Sequence, residues 1–273
     1  MRTLIDLAEA SIAMMHSTRV FEAHRRTAEL ARKLRKLAGL LGGAGYRRGL
    51  RHGVAAALEH RAIPLSIEPC TVVDVGAHRG QFALFALNEF PRATVHCIEP
   101  QPSAIDGLRR LLGSDSRVRI HAVAATAGQG EATMHVSRRS DSSSLLPIGE
   151  AQVDAFPGTE EEATMNVPTV SLDALLHPGD LVGPTLMKVD VQGAELEVLN
   201  GAARVLGSVD ELVVEASFTQ LYRGQALAGE VVAHLGRAGF ELGGCFNAAV
   251  DRRGRFLQAD LLFSRPATEL TGA

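Results

Sequence analysis

Two acidic residues stand 25 positions apart in the chain, each at the carboxyl end of a short apolar run. The first run reaches Asp74 and passes through Gly76 and Gly80, and the second ends at Glu99. Ligands bind open α/β sheets at the carboxyl ends of the strands. Glycine lets the backbone approach such a ligand closely, and an acid can accept hydrogen bonds from the two ribose hydroxyls. The stretch therefore predicts a site for a nucleoside cofactor.

The glycine spacing decides which nucleoside is favoured. The dinucleotide pattern G-x-G-x-x-G, started at Gly76, would place His78 and Gln81 where glycines are needed. The remaining pattern D-x-G-x-x-x-G is close to the D/E-x-G-x-G-x-G loop of Rossmann-like methyltransferases, which bind S-adenosylmethionine. A nicotinamide oxidoreductase would share the fold and the acidic residue, but this spacing disfavours it. An ordinary parallel α/β domain with a glycine turn is the structural alternative.

A second polar cluster follows the apolar residues near position 187. Lys188, Asp190 and Gln192 alternate there with apolar neighbours, and Glu195 comes shortly after them. Burying charged groups inside a sheet is costly unless they are paired. These side chains are therefore predicted either to line a pocket or to cap the next helix, whose dipole would favour Glu195 in the first turn.

The elements that would position these residues alternate between strand-like and helix-like stretches. This order is typical of an α/β fold with a largely parallel sheet. A helix is predicted over 104–112 and another over 229–238. A terminal antiparallel hairpin is predicted at 240–246 and 256–263. Parallel strands are predicted at 71–75, 93–98, 118–124, 184–191 and 211–216.

A polar segment, 138–162, separates two further predicted strands, 131–136 and 163–172. A long connection within a compact domain is usually functional or disordered. At the ligand edge of the sheet, this segment is predicted to be a lid over cofactor and acceptor. A flexible serine linker is the alternative.

Composition limits the classes of function. The 273 residues carry a net charge of −3, so no overall positive field favours nucleic acid. No apolar run of 18 residues exists, and the three cysteines form no CxxC pair. Reduced thiols and the lack of a signal-peptide pattern favour a cytoplasmic protein.

Residues 1–69 are predicted to be a helical N-terminal extension, with one of its helices spanning 46–60. Between Arg19 and Arg51 the sequence has ten Arg or Lys residues. This basic amphipathic stretch could contact an anionic membrane, which would place the protein at the inner membrane face, or could hold an acidic or lipid-linked substrate. A solvated helix face that covers one side of the sheet is the alternative.

Residues from about 50 to 265 resemble the FkbM family of S-adenosylmethionine-dependent methyltransferases. Members usually have asparagine at the position of His78, which leaves the side-chain hydrogen bonds there open. The resemblance rests on several ordered blocks: VVDVGAHRGQF at 72–82, IEP at 98–100, SSSLLP at 142–147, VSLDALL at 170–176, LMKVDVQGAELEVLNGA at 186–202 and VVEASFTQLYRGQ at 213–225.

The resemblance implies a Rossmann-like, seven-stranded class I methyltransferase sheet over 70–265, followed by a tail, 266–273. It implies O-methylation of a hydroxyl on a sugar, glycolipid, polysaccharide or polyketide-type bacterial metabolite. Asp190 is the leading candidate for the base, with Lys188 and Glu215 after it. The implied cofactor-binding residues are Asp74, Gly76, Ala77, His78, Gly80, Gln81, Glu99, Pro100, Val123, Ser143, Ser144 and Asp190.

Some alternatives stay open from the sequence. No His/Cys cluster has zinc spacing, but a carboxylate-bound Mg²⁺ that polarises the acceptor oxygen remains an alternative. A catalytically silent protein that binds S-adenosylmethionine as a scaffold would keep every cofactor residue. The acceptor, the methylated position and the oligomeric state have no signature in the sequence.

Overall fold

A seven-stranded sheet forms the centre of the computed structural model, which describes residues 38–266. A second sheet has three strands. The strands are β1 (Thr71–Val75), β2 (Thr94–Ile98), β3 (Val118–His121), β4 (Ala124–Ala125), β5 (Gly130–Ser137), β6 (Glu161–Val170), β7 (Thr185–Val189), β8 (Glu211–Ser217), β9 (Glu241–Val250) and β10 (Phe256–Ser264).

The large sheet has the strand order β3-β2-β1-β7-β8-β10-β9. Strands β3, β2, β1, β7 and β8 run parallel, and β10 is antiparallel to both of its neighbours. The chain leaves β1 in one direction through β2 and later returns to its other side as β7. The crevice between β1 and β7 is therefore the topological switch point, where ligands bind in such sheets.

This topology confirms the predicted Rossmann-like, seven-stranded sheet with its C-terminal hairpin. The hairpin differs in one detail from a simple edge addition. Its second strand, β10, inserts between β8 and β9, so that β9 forms the outer edge.

Strand β1 is buried along its whole length because helices cover both faces of the sheet. Val72 packs into the hydrophobic cluster on one face, and Val73 and Val75 pack into the cluster on the other. The α-helices are α1 (Ala44–Arg51), α2 (Gln81–Glu89), α3 (Pro102–Leu112), α4 (Glu150–Ala155), α5 (Leu172–Leu175), α6 (Glu195–Asn200), α7 (Ala203–Leu206) and α8 (Ala228–Arg237).

The predicted strand 118–124 is wrong in its second half. Strand β3 ends at His121, and Ala124–Ala125 leaves the large sheet to pair in parallel with β6. The small sheet has the order β4-β6-β5, and its β5–β6 pairing confirms the two strands predicted around the polar segment.

The polar segment 138–162 is folded against the sheet and is not an extended linker. It contains a 3-10 turn, Ser140–Ser142, and helix α4. The Ser144 hydroxyl is buried and donates a 2.6 Å hydrogen bond to the backbone carbonyl of Gln192. These contacts attach the segment to the loop after β7. Its closure over a bound ligand stays a prediction.

The described part of the N-terminal region shares a core with the sheet. The predicted helix 46–60 is wrong, because α1 ends at Arg51 and the chain next forms a 3-10 turn only at Leu58–Ala62. Gly53, which has a φ of +68°, turns the backbone out of the helix. Leu40 and the residues around the turn pack into the same cluster as Leu84 of α2.

The predicted boundary at residue 69 remains a prediction. Residues 1–37 and 267–273, with most of the basic stretch and all but the first residue of the predicted tail, lie outside the described residues. Between residues 38 and 266, every helix is too short or too polar to cross a bilayer.

Two adjacent leucines test whether the N-terminal region belongs to the same cooperative unit. Leu40 is 3% exposed and Leu41 is 53% exposed. Leu40→Ala should lower the free energy of unfolding by about 2–5 kcal/mol through loss of buried contacts. Leu41→Ala should change it by less than about 0.5 kcal/mol. Urea denaturation measures both, and equal small effects would indicate that the region folds separately from the sheet.

Candidate active site

The loop after β1 and the loop after β7 are in direct backbone contact. The Asp190 N–H donates a 3.0 Å hydrogen bond to the carbonyl oxygen of Val75. Gly76 has a φ of +86°, and a Cβ at this position would collide with the carbonyl oxygen of Asp190. Glycine is required here both by the left-handed backbone and by the lack of space.

His78 also adopts a left-handed backbone, with a φ of +44°. The Gln81 amide nitrogen, which can only donate, lies 3.1 Å from His78 Nδ1, so the ring proton lies on Nε2. Nε2 then donates to the Ser140 hydroxyl at 2.9 Å. Burial lowers the pKa of His78, which agrees with a neutral ring.

Glu99 lies at the end of β2 and holds the loop after β1 in place. Its carboxylate accepts hydrogen bonds from the backbone N–H groups of His78 and Gln101, both at 2.8 Å. Burial raises the pKa of Glu99 to about 7, although these two N–H groups oppose the shift. Both the ionised and the protonated form of Glu99 are therefore populated near pH 7, and hydrogen-bond donors from a ligand would favour the ionised form.

An inner cavity of about 560 Å³ opens between these loops and the polar segment. Small-molecule sites share this concave shape, with apolar walls and a few polar groups. Apolar side chains such as Ile98, Met134 and Leu145 supply one wall. The predicted cofactor residues that line it are Gly76, His78, Glu99, Pro100, Val123, Ser143, Ser144 and Asp190.

The other predicted cofactor residues lie elsewhere. Ala77 and Gln81 line a neighbouring cavity. Gly80 lines neither cavity and allows α2 to pack closely against Leu108. Asp74 is fully buried within β1, its carboxylate oxygens lack a hydrogen-bond partner among the described residues, and burial raises its pKa to about 6.

The buried Lys188 forms an ion pair at the end of β7 with Asp190, whose side chain is 27% exposed. Lys188 Nζ lies 2.7 Å from Asp190 Oδ2. Burial raises the pKa of Asp190, but the Lys188 charge and the side-chain hydrogen bonds around the carboxylate together outweigh burial, and the pKa is lowered overall. Burial alone would lower the pKa of Lys188, whereas Asp190, Asp74 and Asp260 together raise it. Both members of the pair are therefore charged.

Gln192 connects this pair to two other side chains. Its amide nitrogen donates to Asp190 Oδ1 and to Glu215 Oε2, each at 2.8 Å. Its amide oxygen accepts a 2.8 Å bond from the Tyr222 hydroxyl. Burial, followed by the charges of Asp190 and Asp260, raises the pKa of Glu215 well above its usual value, so Glu215 is protonated.

The structure removes the capping interpretation of Asp190. Helix α6 begins at Glu195, whose carboxylate accepts the backbone N–H groups of Val191 and Gly193. The Asp190 carboxylate accepts hydrogen bonds from the side chains of Lys188 and Gln192. It is free of the helix and faces the cavities.

An outer cavity of about 980 Å³ lies on the other side of Asp190. Lys188 and Glu215 line it, together with residues from the 3-10 turn and from β10, such as His60 and Gln258. The two cavities share five lining residues: Gly76, His78, Asp141, Asp190 and Gln192. A ligand in the inner cavity can therefore contact a ligand in the outer cavity beside Asp190.

Sequence reasoning missed several residues of the outer cavity. His60 comes from a region without a motif, and its Nδ1 lies 3.1 Å from the carbonyl oxygen of Ala57. Gln258 lies on β10 and donates a 2.9 Å bond to Glu215. Only Gln192 had a usable signal, because it alternates with Lys188 and Asp190.

Fold and site together define a class I methyltransferase. The sheet order, the glycine loop after β1 and the acid after β2 belong to that class. The model of the methyltransferase FkbM domain matches residues 74–242, and the chain belongs to this family. It is an S-adenosylmethionine-dependent O-methyltransferase, as the sequence predicted, which overturns the nicotinamide alternative.

Curated relatives are similar over much of the chain. The 2-O-methyltransferase NoeI of Sinorhizobium fredii is 27% identical over 66% of this chain and 77% of its own length. The 31-O-demethyl-FK506 methyltransferase FkbM of Streptomyces tacrolimicus is 29% identical over 70% and 76%. The hexuronic acid methyltransferase AglP of Haloferax volcanii is 30% identical over 52% of this chain and 54% of its own.

Solved structures resemble the chain more distantly. A 1,6-didemethyltoxoflavin-N1-methyltransferase of Burkholderia thailandensis is 13% identical, with a TM-score of 0.41 over 90% of this chain and 88% of its own.

Within residues 38–266, His, Cys, Asp and Glu side chains form no group of three or more that could hold a metal ion.

Two glycines separate backbone strain from crowding at the site. Gly76 and Gly224 both have left-handed φ values, +86° and +81°, but Gly224 has open space around its Cα. Gly224→Ala should cost about 1–2 kcal/mol, the strain of that backbone conformation. Gly76→Ala should cost several kcal/mol more, since the loops after β1 and β7 must separate.

Thermal unfolding of both variants, with calorimetric titration of S-adenosylhomocysteine, measures these effects. Binding should be lost in Gly76→Ala and kept in Gly224→Ala. Similar stability and binding in the two variants would contradict the close approach of the loops.

Proposed function

We propose that this enzyme methylates a hydroxyl of a sugar, either free or carried by a glycolipid, a polysaccharide or a polyketide-type metabolite. One observation carries the proposal: a largely polar outer cavity meets the inner cavity at the Asp190 carboxylate. Hydrogen-bonding side chains such as Gln152, Gln192 and Gln258 suit a hydroxyl-rich acceptor.

The relatives support the same acceptor class. Their names describe a 2-O-methyltransferase, a hexuronic acid methyltransferase and a methyltransferase for 31-O-demethyl-FK506. At these identities the particular acceptor does not transfer. Hydroxyl-bearing sugars and polyketide-type metabolites form the narrowest acceptor class that agrees both with the polar lining of the outer cavity and with the names of these relatives.

The residues that line the inner cavity fit S-adenosylmethionine. In the proposed arrangement Glu99 accepts the ribose hydroxyls, while the apolar wall that includes Met134 and Leu145 covers the adenine. The left-handed loop from Gly76 to His78 lies beside the methionine part. When bound, the cofactor supplies an activated methyl group on a sulfonium.

Asp190 is the proposed acceptor for the proton of the substrate hydroxyl. The O–CH₃ bond forms as the S–CH₃ bond breaks, the electron pair returns to sulfur, and the proton passes to the carboxylate. An ionised carboxylate is a weak base for a free alcohol, but the hydroxyl becomes acidic as its new bond forms. Lys188 keeps Asp190 ionised so that it can accept this proton.

Lys188 and Glu215 then have positioning roles. Lys188 is protonated and cannot accept a proton. Glu215 is held in its protonated form and contacts the rest of the site through Gln192 and Gln258. Both side chains fix the orientation of Asp190 and its neighbours. Correct positioning of the reacting groups accounts for much of the reduction in the activation free energy of a direct transfer.

Glu99 gives cofactor binding a defined pH dependence. Its pKa in the free protein is about 7. Ribose hydroxyls stabilise the ionised form, so binding should lower this pKa. As the pH falls from 7 to 5, a growing fraction of the free protein has a protonated Glu99. The dissociation constant of S-adenosylhomocysteine should then rise by up to about tenfold per pH unit.

Calorimetric titrations at several pH values measure this dependence. Glu99→Gln removes the titrating group, so its affinity should be weaker at pH 8 and nearly flat between pH 5 and 7. A flat profile for the wild-type protein, or an unchanged profile for the variant, would remove Glu99 from the cofactor site.

Transfer of a radiolabelled methyl group from S-adenosylmethionine tests the proposed function. Wild-type protein should label at least one acceptor in a panel of methyl β-D-glucoside, methyl β-D-glucuronoside and 31-O-demethyl-FK506. Asp190→Asn should lower kcat by roughly 10² to 10⁴, the usual contribution of general base catalysis. Its affinity for S-adenosylhomocysteine should stay near the wild-type value. Its melting temperature should fall, because the buried Lys188 loses its charged partner, so kcat is compared at a temperature at which both proteins are folded.

Glu215→Gln is the matched control, because glutamine preserves a neutral polar side chain. Its kcat should fall by less than about tenfold, since no proton transfer is lost. Near wild-type turnover in Asp190→Asn would show that Asp190 is not the base. Labelling confined to protein or nucleic acid would reject the acceptor class.

A further inference from the structure

A groove of about 1010 Å³ continues from the outer cavity to the surface. The two spaces have five lining residues in common, namely Glu59, His78, Gln81, Arg139 and Asp141. Beyond these shared residues the groove is lined by two more arginines, Arg79 and Arg138, and by the backbone around Gly53. We call this space the arginine groove.

A hydrogen bond explains why arginines distant in sequence meet here. His78 Nε2 and the Ser140 hydroxyl are 2.9 Å apart, which joins the loop after β1 to the turn after β5. Arg79 directly follows His78, and Arg138 and Arg139 directly precede Ser140. The same contact that shapes the site therefore brings three guanidinium groups to one groove.

Arg79 is held in place by its surroundings. Its side chain is half-buried and packs over α3, where a Cβ on Gly107 would lie 3.5 Å from Arg79 Cγ. Its Nη2 donates a 3.4 Å hydrogen bond to the carbonyl oxygen of His52. None of the carboxylates in the described part of the chain forms an ion pair with Arg79.

The other charges of the groove leave an excess of positive charge. The Arg138 side chain forms no ion pair with residues 38–266, while its backbone N–H donates to the carbonyl oxygen of Glu160. Arg139 lies 3.4 Å from Asp141, and both are about half exposed. Glu59 is the remaining acid. Three guanidinium groups thus face two carboxylates.

We propose that the arginine groove binds an anionic group of the acceptor, a carboxylate or a phosphate, while the acceptor's hydroxyl lies in the outer cavity. The proposal rests on the proposed function, which it narrows to negatively charged sugars or sugar conjugates. The planar guanidinium group matches both anions with two parallel hydrogen bonds. The net charge of −3 for the whole chain makes this local excess a feature of the groove and not of the surface in general.

Paired probes test the proposal on the full-length protein saturated with S-adenosylhomocysteine. Methyl β-D-glucuronoside is compared with methyl β-D-glucoside, and α-D-glucose 1-phosphate with D-glucose. At least one charged probe should bind about tenfold or more tightly than its neutral partner, the effect expected from charge-assisted hydrogen bonds. The pair with the larger ratio identifies the carboxylate or the phosphate as the preferred anion.

Three variants assign the preference to the groove. Arg79→Gln and Arg138→Gln should each reduce the charged-to-neutral ratio about tenfold. Arg110→Gln removes the same charge from the exposed face of α3, outside the groove, and should leave the ratio unchanged. High salt should also reduce the ratio in the wild-type protein, because the groove is open to solvent.

Equal affinities within both pairs, no detectable binding of either charged probe, or an unchanged ratio in both groove variants would overturn the proposal. The protein could instead show the charge preference but neither bind S-adenosylhomocysteine nor transfer methyl groups to any sugar. That result would reject the proposed function and leave the anion site of the arginine groove intact. The two failures are therefore distinguishable.

Discussion

The ion pair between the buried Lys188 and Asp190 is the interaction on which the site depends. Taking two charges out of water is costly, and the cost is recovered only by close pairing and further hydrogen bonds. Here the ammonium and carboxylate groups are 2.7 Å apart, and Gln192 satisfies the second carboxylate oxygen. Removing Asp190 would leave the buried Lys188 ammonium unpaired, and removing Lys188 would leave the Asp190 carboxylate unpaired at the carboxyl end of β7.

One lysine also determines the protonation of its acidic neighbours. Asp74 is next to Lys188 in the β1–β7 register, and Asp190 and Glu215 are close to it at the ends of β7 and β8. A single positive charge cannot stabilise every carboxylate. Asp190 remains ionised, while the pKa of Asp74 rises to about 6 and Glu215 remains protonated. Such separation of pKa values divides the roles within an active site.

The sequence predicted those features that depend on local pattern. Apolar runs and glycine turns located most of the strands, and the ordered family blocks indicated the seven-stranded sheet and the cofactor loop. The pattern failed where long-range contacts decide the structure. The run 118–124 splits because Ala124 and Ala125 pair with β6, and the helix predicted over 46–60 stops at Arg51 because the backbone turns at Gly53.

Within the candidate site, the sequence predicted the residues at strand ends but not the residues that long-range packing brings to the site. Glu99 and Asp190 stand next to strand ends, so the position of their side chains follows from the fold. His60, Gln258 and the arginine groove depend on side chains that meet only after the N-terminal region, the hairpin and the polar segment have packed. No spacing in the sequence encodes the His78–Ser140 hydrogen bond that joins two of these regions.

The central claim is that the cofactor lies in the inner cavity and that its reacting atom faces the polar outer cavity past Asp190. A crystal structure of the protein with S-adenosylhomocysteine tests this most directly. The account predicts ribose hydroxyls on the Glu99 carboxylate and the sulfur atom at the junction of the two cavities, beside Asp190. A nucleoside bound in the outer cavity, or a sulfur atom directed away from Asp190, would contradict it.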